Sequence, residues 1–173
     1  MTLPAKNGFT LLELIITISI ISILVVFAIP SYRGFQANQE LIQAKDNLKS
    51  DLRFTQSQAL AGIKAPSCGA ATKLIGWYIR RIAINSYGIY ARCVGQSSLI
   101  KQVNLPTGTT LSISGNVHIL FRPTDVGTQD VFFGNAEVDP PVPALGLSEA
   151  TITLTKGTAN RIIRVRRTGD VYE

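Results

Sequence analysis

The stretch that decides the fold runs from residue 6 to residue 30: Lys6-Asn7-Gly8-Phe9-Thr10-Leu11-Leu12-Glu13-Leu14, then IITISIISILVVFAIP ending at Pro30. Between Phe9 and Pro30 the only ionisable side chain is Glu13. About 20 apolar residues are enough for a helix to cross the hydrocarbon core of a bilayer, and the run from Phe9 to Ile29 has that length. Lys6 precedes the run and Arg33 follows it. Positive charge on the short leader side keeps that end in the cytoplasm, although Arg33 weakens the asymmetry. A secretory signal peptide places its small-residue cleavage site after the apolar core. Here the small residue, Gly8, stands before the core, so the order is reversed.

Two residues in this run call for a reason. A carboxylate inside a spanning helix costs roughly 2.5–3.5 kcal/mol on insertion scales, so Glu13 marks a function by default. The plainer alternative is that Glu13, four residues from Phe9, snorkels to the cytoplasmic headgroups. Pro30 removes a helical hydrogen bond and crowds the preceding turn, which predicts a kink or local melting there, with Gly34 adding looseness; the plainer reading, a membrane-exit boundary, is compatible with it.

Taken together, Lys6 to Leu14 resembles the processing site of type IV pilins and of the related pseudopilins of type II secretion, and the likeness continues through the helix to Pro30. The resemblance implies that a prepilin peptidase cuts between Gly8 and Phe9 and that the new N-terminus, Phe9, is methylated. It implies that Glu13 pairs with the N-terminal amine of a neighbouring Phe9 during filament assembly. It further implies an inner-membrane protein crossing once, with its C-terminal domain outside the cytoplasm, in contact with membrane lipid until other pilins or pseudopilins take it into a filament.

Beyond Pro30 the pattern changes. Leu41, Leu48, Leu52, Ala59 and Ile63 recur at sums of threes and fours, one apolar stripe on an amphipathic helix, while Gln39, Glu40, Lys45, Asp46, Lys49 and Arg53 lie mostly off it. The Gly/Pro/Ser punctuation from Gly62 to Pro66 predicts the helix end. A free coiled coil is the alternative, disfavoured by so short a stripe. From Ile75 onward the reading is strand: 77–84 and 87–94 around an Asn85-Ser86 turn, then 98–105, 109–114, 117–121 and a short 131–133. Pro123 to Gly127 reads as a turn region, and Asp139 to Gly146, rich in proline, as a surface loop without an element of its own. The closing pair is 151–155 and 161–167 around Lys156 to Asn160. The organisation is thus a leader at 1–8, a membrane or filament-core helix at 9–30, an amphipathic helical half at 31–65 and a β-rich domain at 66–173. A long helix followed by antiparallel strands is an α+β arrangement, the pilin fold in which the helix packs on an antiparallel sheet. The helix end at Leu52 to Ala61, Gly76-Trp77, Leu105-Pro106-Thr107-Gly108, Ile119 to Pro123 with Gly127, and Arg161 to Val171 resemble, in that order, the GspH/FimT group of minor pseudopilins and minor pilins.

Composition narrows the chemistry. The charged fraction is 16%, against about 25% for soluble domains, and the deficit sits in the apolar run. Net charge is +6, which fits nucleic acid, anionic lipid or simple solubility equally. Cys68 and Cys93 are the only cysteines and His118 the only histidine, so zinc sites and catalytic triads lack parts. In an oxidising compartment the two cysteines read as a disulfide; the alternative is two buried thiols. His118 reads as a satisfied or surface histidine. No glycine-rich phosphate loop opens a helix. The expectation is a structural protein: no enzyme, no cofactor, no metal and no small-molecule substrate.

One charge cluster remains, Arg161, Arg164, Arg166 and Arg167. Alternation in a strand places Arg164 and Arg166 on one face with Ile162, and Arg161 and Arg167 on the other with Ile163 and Val165. The plain reading is an edge strand guarded by charge. The sharper one is a patch for DNA phosphates, which the resemblance to FimT-type minor pilins raises because some bind DNA in natural transformation; Asp170 and Glu173 oppose it. The two functions in view are a minor subunit that initiates or caps a pilus or pseudopilus, and a DNA-capturing minor pilin.

Overall fold

The computed structural model describes residues 9–123, 130–138, 141–144 and 146–173, apart from the side chains of 26–31 and 33. The leader with Gly8, the side chain of Pro30, most of the Pro123–Gly127 turn and the start of the 139–146 segment therefore lie outside the described residues. The chain divides into two compact units between Ala37 and Asn38.

Helix α1 is Leu11–Leu60, and its assignment continues across position 30. In the first unit it starts where Thr10 caps it: the Leu14 N–H donates to Thr10 O at 3.2 Å and the Glu13 N–H to Thr10 Oγ1 at 3.3 Å. The hydroxyls of Thr17, Ser19 and Ser22 turn back onto the carbonyls of Leu14, Ile15 and Ile18 at 2.8–2.9 Å. These three hydroxyls are thereby spent within the helix.

In the second unit α1 lays its stripe on strands. Leu41, Leu48, Leu52 and Ala59 are fully buried. Ile63 corrects the reading: it is 46% exposed and lies past the helix. The helix stops at Leu60 because Gly62 takes a positive φ of 64° and closes a Schellman cap, its N–H bonded to Ala59 O and that of Ile63 to Gln58 O.

The strands are β1 Leu74–Ala83, β2 Ser86–Cys93, β3 Gln96–Asn104, β4 Thr109–Ile113, β5 His118–Phe121, β6 Val131–Asn135, β7 Val142–Pro143, β8 Glu149–Lys156, β9 Ala159–Arg166 and β10 Val171–Tyr172. They form two antiparallel sheets, ordered β3-β2-β1-β5-β6-β7 and β10-β9-β8-β4. The main core lies between α1 and the inner faces of these sheets: Leu41, Leu48 and Leu52 with Ile79, Ile89, Phe121, Phe133, Ile152 and Ile163. This is α+β, the arrangement of the pilin fold, with two sheets in place of one.

Four details depart from the sequence reading. The β1–β2 turn is Ile84-Asn85, one residue earlier. The β8–β9 turn tightens to Gly157-Thr158, which Gly157 permits with φ 59°. β10 adds a strand, pairing Val171 with Val165 and Tyr172 with Arg164. The proline-rich segment does contribute an element, β7, which pairs with Gly134 and Asn135 of β6. Pro143 is tolerated because β7 is an edge. Gly134 lets it come close, since a Cβ there would lie 2.1 Å from Val142 O. Cys68 and Cys93 form a disulfide with Cα atoms 6.1 Å apart, tying the segment after α1 to the end of β2.

Candidate functional site

The N-terminal segment combines an exposed aromatic, a lone acid and an apolar surface. Phe9 is 77% exposed, and Glu13 stands in the first turn of α1, one helical turn on from it. Among the described residues Glu13 has no ion-pair partner. Leu11, Leu12, Leu14, Ile15, Ile16, Ile18, Ile20, Ile21, Ile23, Leu24 and Val25 are all about half exposed or more. A helix that is apolar all round needs cover, either from lipid or from other helices. Among the described residues no helix is long and apolar enough to cross a membrane. The described side chains of the apolar run end at Val25; its sequence continues to Ile29.

The four arginines part company. Ile163 and Val165 of β9 are buried while Arg164 and Arg166 face out, as alternation requires. Glu149 on β8 lies between those two, 3.8 Å from Arg164 Nε and 3.7 Å from Arg166 Nε. Arg166 also covers the Tyr172 ring at 4.5 Å and donates to its hydroxyl at 3.0 Å, and that hydroxyl bonds Glu149. Arg161 turns to α1, donating to Asn38 Oδ1 at 2.7 Å. Arg167, beyond the end of β9, donates to Leu147 O at 3.0 Å. The structure therefore brings Arg164 and Arg166 together, partly neutralised, and leaves the other two elsewhere.

His118 is a satisfied histidine. Its Nδ1 accepts the Ala136 N–H at 3.1 Å, and its ring stacks on Tyr78 at 5.5 Å. Burial lowers its pKa below the ordinary histidine value, against a smaller opposing effect of Glu137. Burial likewise pushes the Tyr78 hydroxyl up to about 12.

Sequence reasoning missed the polar links that hold α1 to the sheets. Asp51 is 8% exposed and accepts from the Tyr87 hydroxyl at 2.8 Å and from Lys101 Nζ at 2.7 Å. Burial, with the Asp51 bond second, raises the Tyr87 pKa. The spacing Leu48, Asp51, Leu52, Thr55, Ala59 did carry this signal, because it puts a carboxylate on the apolar stripe. Glu40 pairs with Lys156. Glu173 bridges Lys45 at 2.8 Å and Lys49 at 2.9 Å, which hold its carboxyl down to about 2.

With this geometry in hand, the relatives can be placed. The prokaryotic N-terminal methylation motif matches residues 3–29. The type IV major pilin protein PilA of Myxococcus xanthus is 49% identical over 47 residues, 27% of this chain and 21% of that protein. The type IV major fimbrial protein FimA of Dichelobacter nodosus is 34% identical over 74 residues, 41% of this chain and 45% of that protein. A fimbrial protein of Pseudomonas aeruginosa is 35% identical over 60 residues, 35% of this chain and 39% of that protein. The chain thus spans between about a fifth and under half of the length of the curated relatives it matches. No solved structure matches it. In its N-terminal segment the chain is type IV pilin-like.

Proposed function

We propose that this chain is a structural subunit of a type IV pilus-type filament, made as a precursor that a prepilin peptidase cuts between Gly8 and Phe9. Methylation of Phe9 follows, and Glu13 then receives the amine of a neighbouring Phe9 as the subunit leaves the inner membrane. The observation that carries this reading is the methylation motif at residues 3–29 continuing into a helix whose first turn holds a single unpaired acid. A cationic amine one turn from that acid on a neighbouring subunit removes the cost of placing a carboxylate among apolar side chains. The apolar surface from Leu11 to Val25 supports packing first against lipid and then against other helices. Position 30 serves as the kink that lets helices bend while packing.

Within this class the role we assign is that of a minor pilin or pseudopilin that initiates or caps the filament. The order of short likenesses along the β-rich domain supports it. The relatives the chain matches are themselves named as major or unspecified fimbrial subunits. The test is Glu13→Ala in the native host. We expect cleavage and methylation to be unchanged and recovery of the subunit in sheared filaments to fall by about tenfold or more. Wild-type incorporation of the variant contradicts the role of Glu13.

DNA capture is the second reading, favoured by the outward pair Arg164 and Arg166, whose side chains are 49% and 56% exposed. The carboxylate of Glu149 between them reduces the charge free for phosphate contacts. Retention of duplex DNA by the detergent-solubilised chain over a salt series, with both arginines changed to alanine, decides it. A salt-sensitive loss supports DNA capture, and equal retention removes the arginine pair from it.

A further inference from the structure

β3 is one edge of the six-stranded sheet, and an edge strand carries main-chain N–H and C=O groups that no neighbouring strand takes up. Most of this edge is guarded. At its start the Gln96 side chain donates to Ser67 O, and the Ser98 hydroxyl meets that of Ser67. In its middle the register slips between Ile89 and Tyr90, so that Ile100 bulges out of the ladder, and Lys101 turns to Asp51 on α1. Bulges and inward-turned charges are common means of closing an edge to other chains. The last stretch, 102–104, has neither.

The ladder shows which groups stay open there. The Leu105 N–H donates to Asn85 O at 2.8 Å, and Asn104 stands opposite Ser86. Successive residues of an antiparallel strand turn their main-chain groups to opposite sides. Leu105 bonds on the β2 side, so Asn104 presents its N–H and C=O to the open edge. A cleft of about 390 Å³ lies where this edge meets α1, lined by Gln43, Ala44 and Asn47 of the helix and by Val103, Asn104 and Pro106 after them. Gln43 and Asn47 are exposed and stand one helical turn apart. Every residue lining the cleft is uncharged. On α1 the acids to either side, Glu40 and Asp51, are already matched by Lys156 and Lys101.

We propose that this cleft docks an extended, uncharged segment of another polypeptide, which adds a short strand at Asn104 and is held across the groove by the carboxamides of Gln43 and Asn47. A carboxamide carries a donor and an acceptor side by side, the complement of the N–H and C=O of a peptide group. Main-chain bonds give an added strand its affinity. Neutral walls select a segment without charges, because a charge taken from water there would stay unpaired. Ala44, Val103 and Pro106 add apolar contact. The docking uses none of the residues invoked for filament assembly, so its failure leaves that reading untouched.

The test titrates the full chain in detergent micelles with a short, end-capped peptide of alternating threonine and valine. NMR follows the Asn104 backbone amide and the side-chain amides of Gln43 and Asn47, and saturable shifts of all three are expected. The same peptide N-methylated at its valines loses main-chain donors and keeps its side chains; it is expected to bind about tenfold more weakly or worse. Gln43→Ala combined with Asn47→Ala, at two exposed helix positions that alanine suits, is expected to weaken binding by about tenfold or more. Asn104→Pro removes the outward N–H without taking a donor from the β2–β3 ladder, and a comparable loss is expected. If that variant does not fold, the alanine pair carries the test. Shifts that are absent or never saturate, that the N-methylated peptide reproduces in full, or that persist undiminished in the alanine pair overturn the proposal. So does N-acetylglucosamine moving the same three signals where the peptide leaves them still, which would assign the cleft to a sugar.

Discussion

Asp51 and His118 show how single residues are set by what surrounds them. Asp51 joins α1 to β2 and β3 through Tyr87 and Lys101. Asp51→Ala leaves the buried Tyr87 hydroxyl without its acceptor, a loss of about 1–3 kcal/mol. Lys101, with a side chain 52% exposed, swings to water and adds little. Urea unfolding of Asp51→Ala, Tyr87→Phe and the double variant checks this, and the double variant is expected to lose less than the sum of the two. His118 is held neutral by burial and by the Ala136 N–H, with Glu137 and Arg80 the charged groups facing it. Its folded pKa is below its unfolded value, so the unfolded chain takes up the proton more readily. Stability from this group is therefore complete above about pH 6.5 and is lost as pH falls through the folded pKa. Thermal midpoints measured across that range should fall with acidification in the parent, and the fall should flatten in His118→Phe. The histidine's bland role was legible from Val117 and Ile119 around it. Asp51's place on the buried stripe was legible from its spacing, but its partners were not, because they arrive from strands 36 and 50 residues away.

At the scale of elements, periodicity carried most of the reading and close approach defeated it. Leu41, Leu48, Leu52 and Ala59 announced their buried face, and the alternation in 161–166 announced β9. The two-residue strands β7 and β10 carry no period to detect; each exists because a longer neighbour offers an open edge. Ile63 fitted the helical spacing, yet Gly62 had already reversed the chain. The disulfide joins residues 25 apart and fastens the segment after α1 to β2. Changing both cysteines to serine is expected to cost about 2–4 kcal/mol, chiefly by freeing the unfolded chain. Unfolding midpoints of the oxidised parent and the double variant measure it. A change under about 0.5 kcal/mol would show that the loop needs no staple.

For the whole molecule, the two units divide the work. The domain from Asn38 onward has its own core, its own disulfide and polar ties between α1 and both sheets. The segment before it spends its hydroxyls on its own carbonyls and leaves its apolar side chains uncovered. That contrast was legible from residues 6–30, because a reversed order of small residue and apolar run has few physical uses. What the β-rich domain touches was less legible, since charge on a strand looks alike whether it meets water, carboxylate or phosphate. Arg164 and Arg166 turned out to share Glu149. The central claim is that the chain is cut before its apolar helix and keeps that helix. Mass spectrometry of the protein isolated from its host membranes or filaments tests it most directly. The account predicts an N-terminus at N-methylated Phe9; a chain that still begins at Met1, or one cut beyond Ile29, would contradict it.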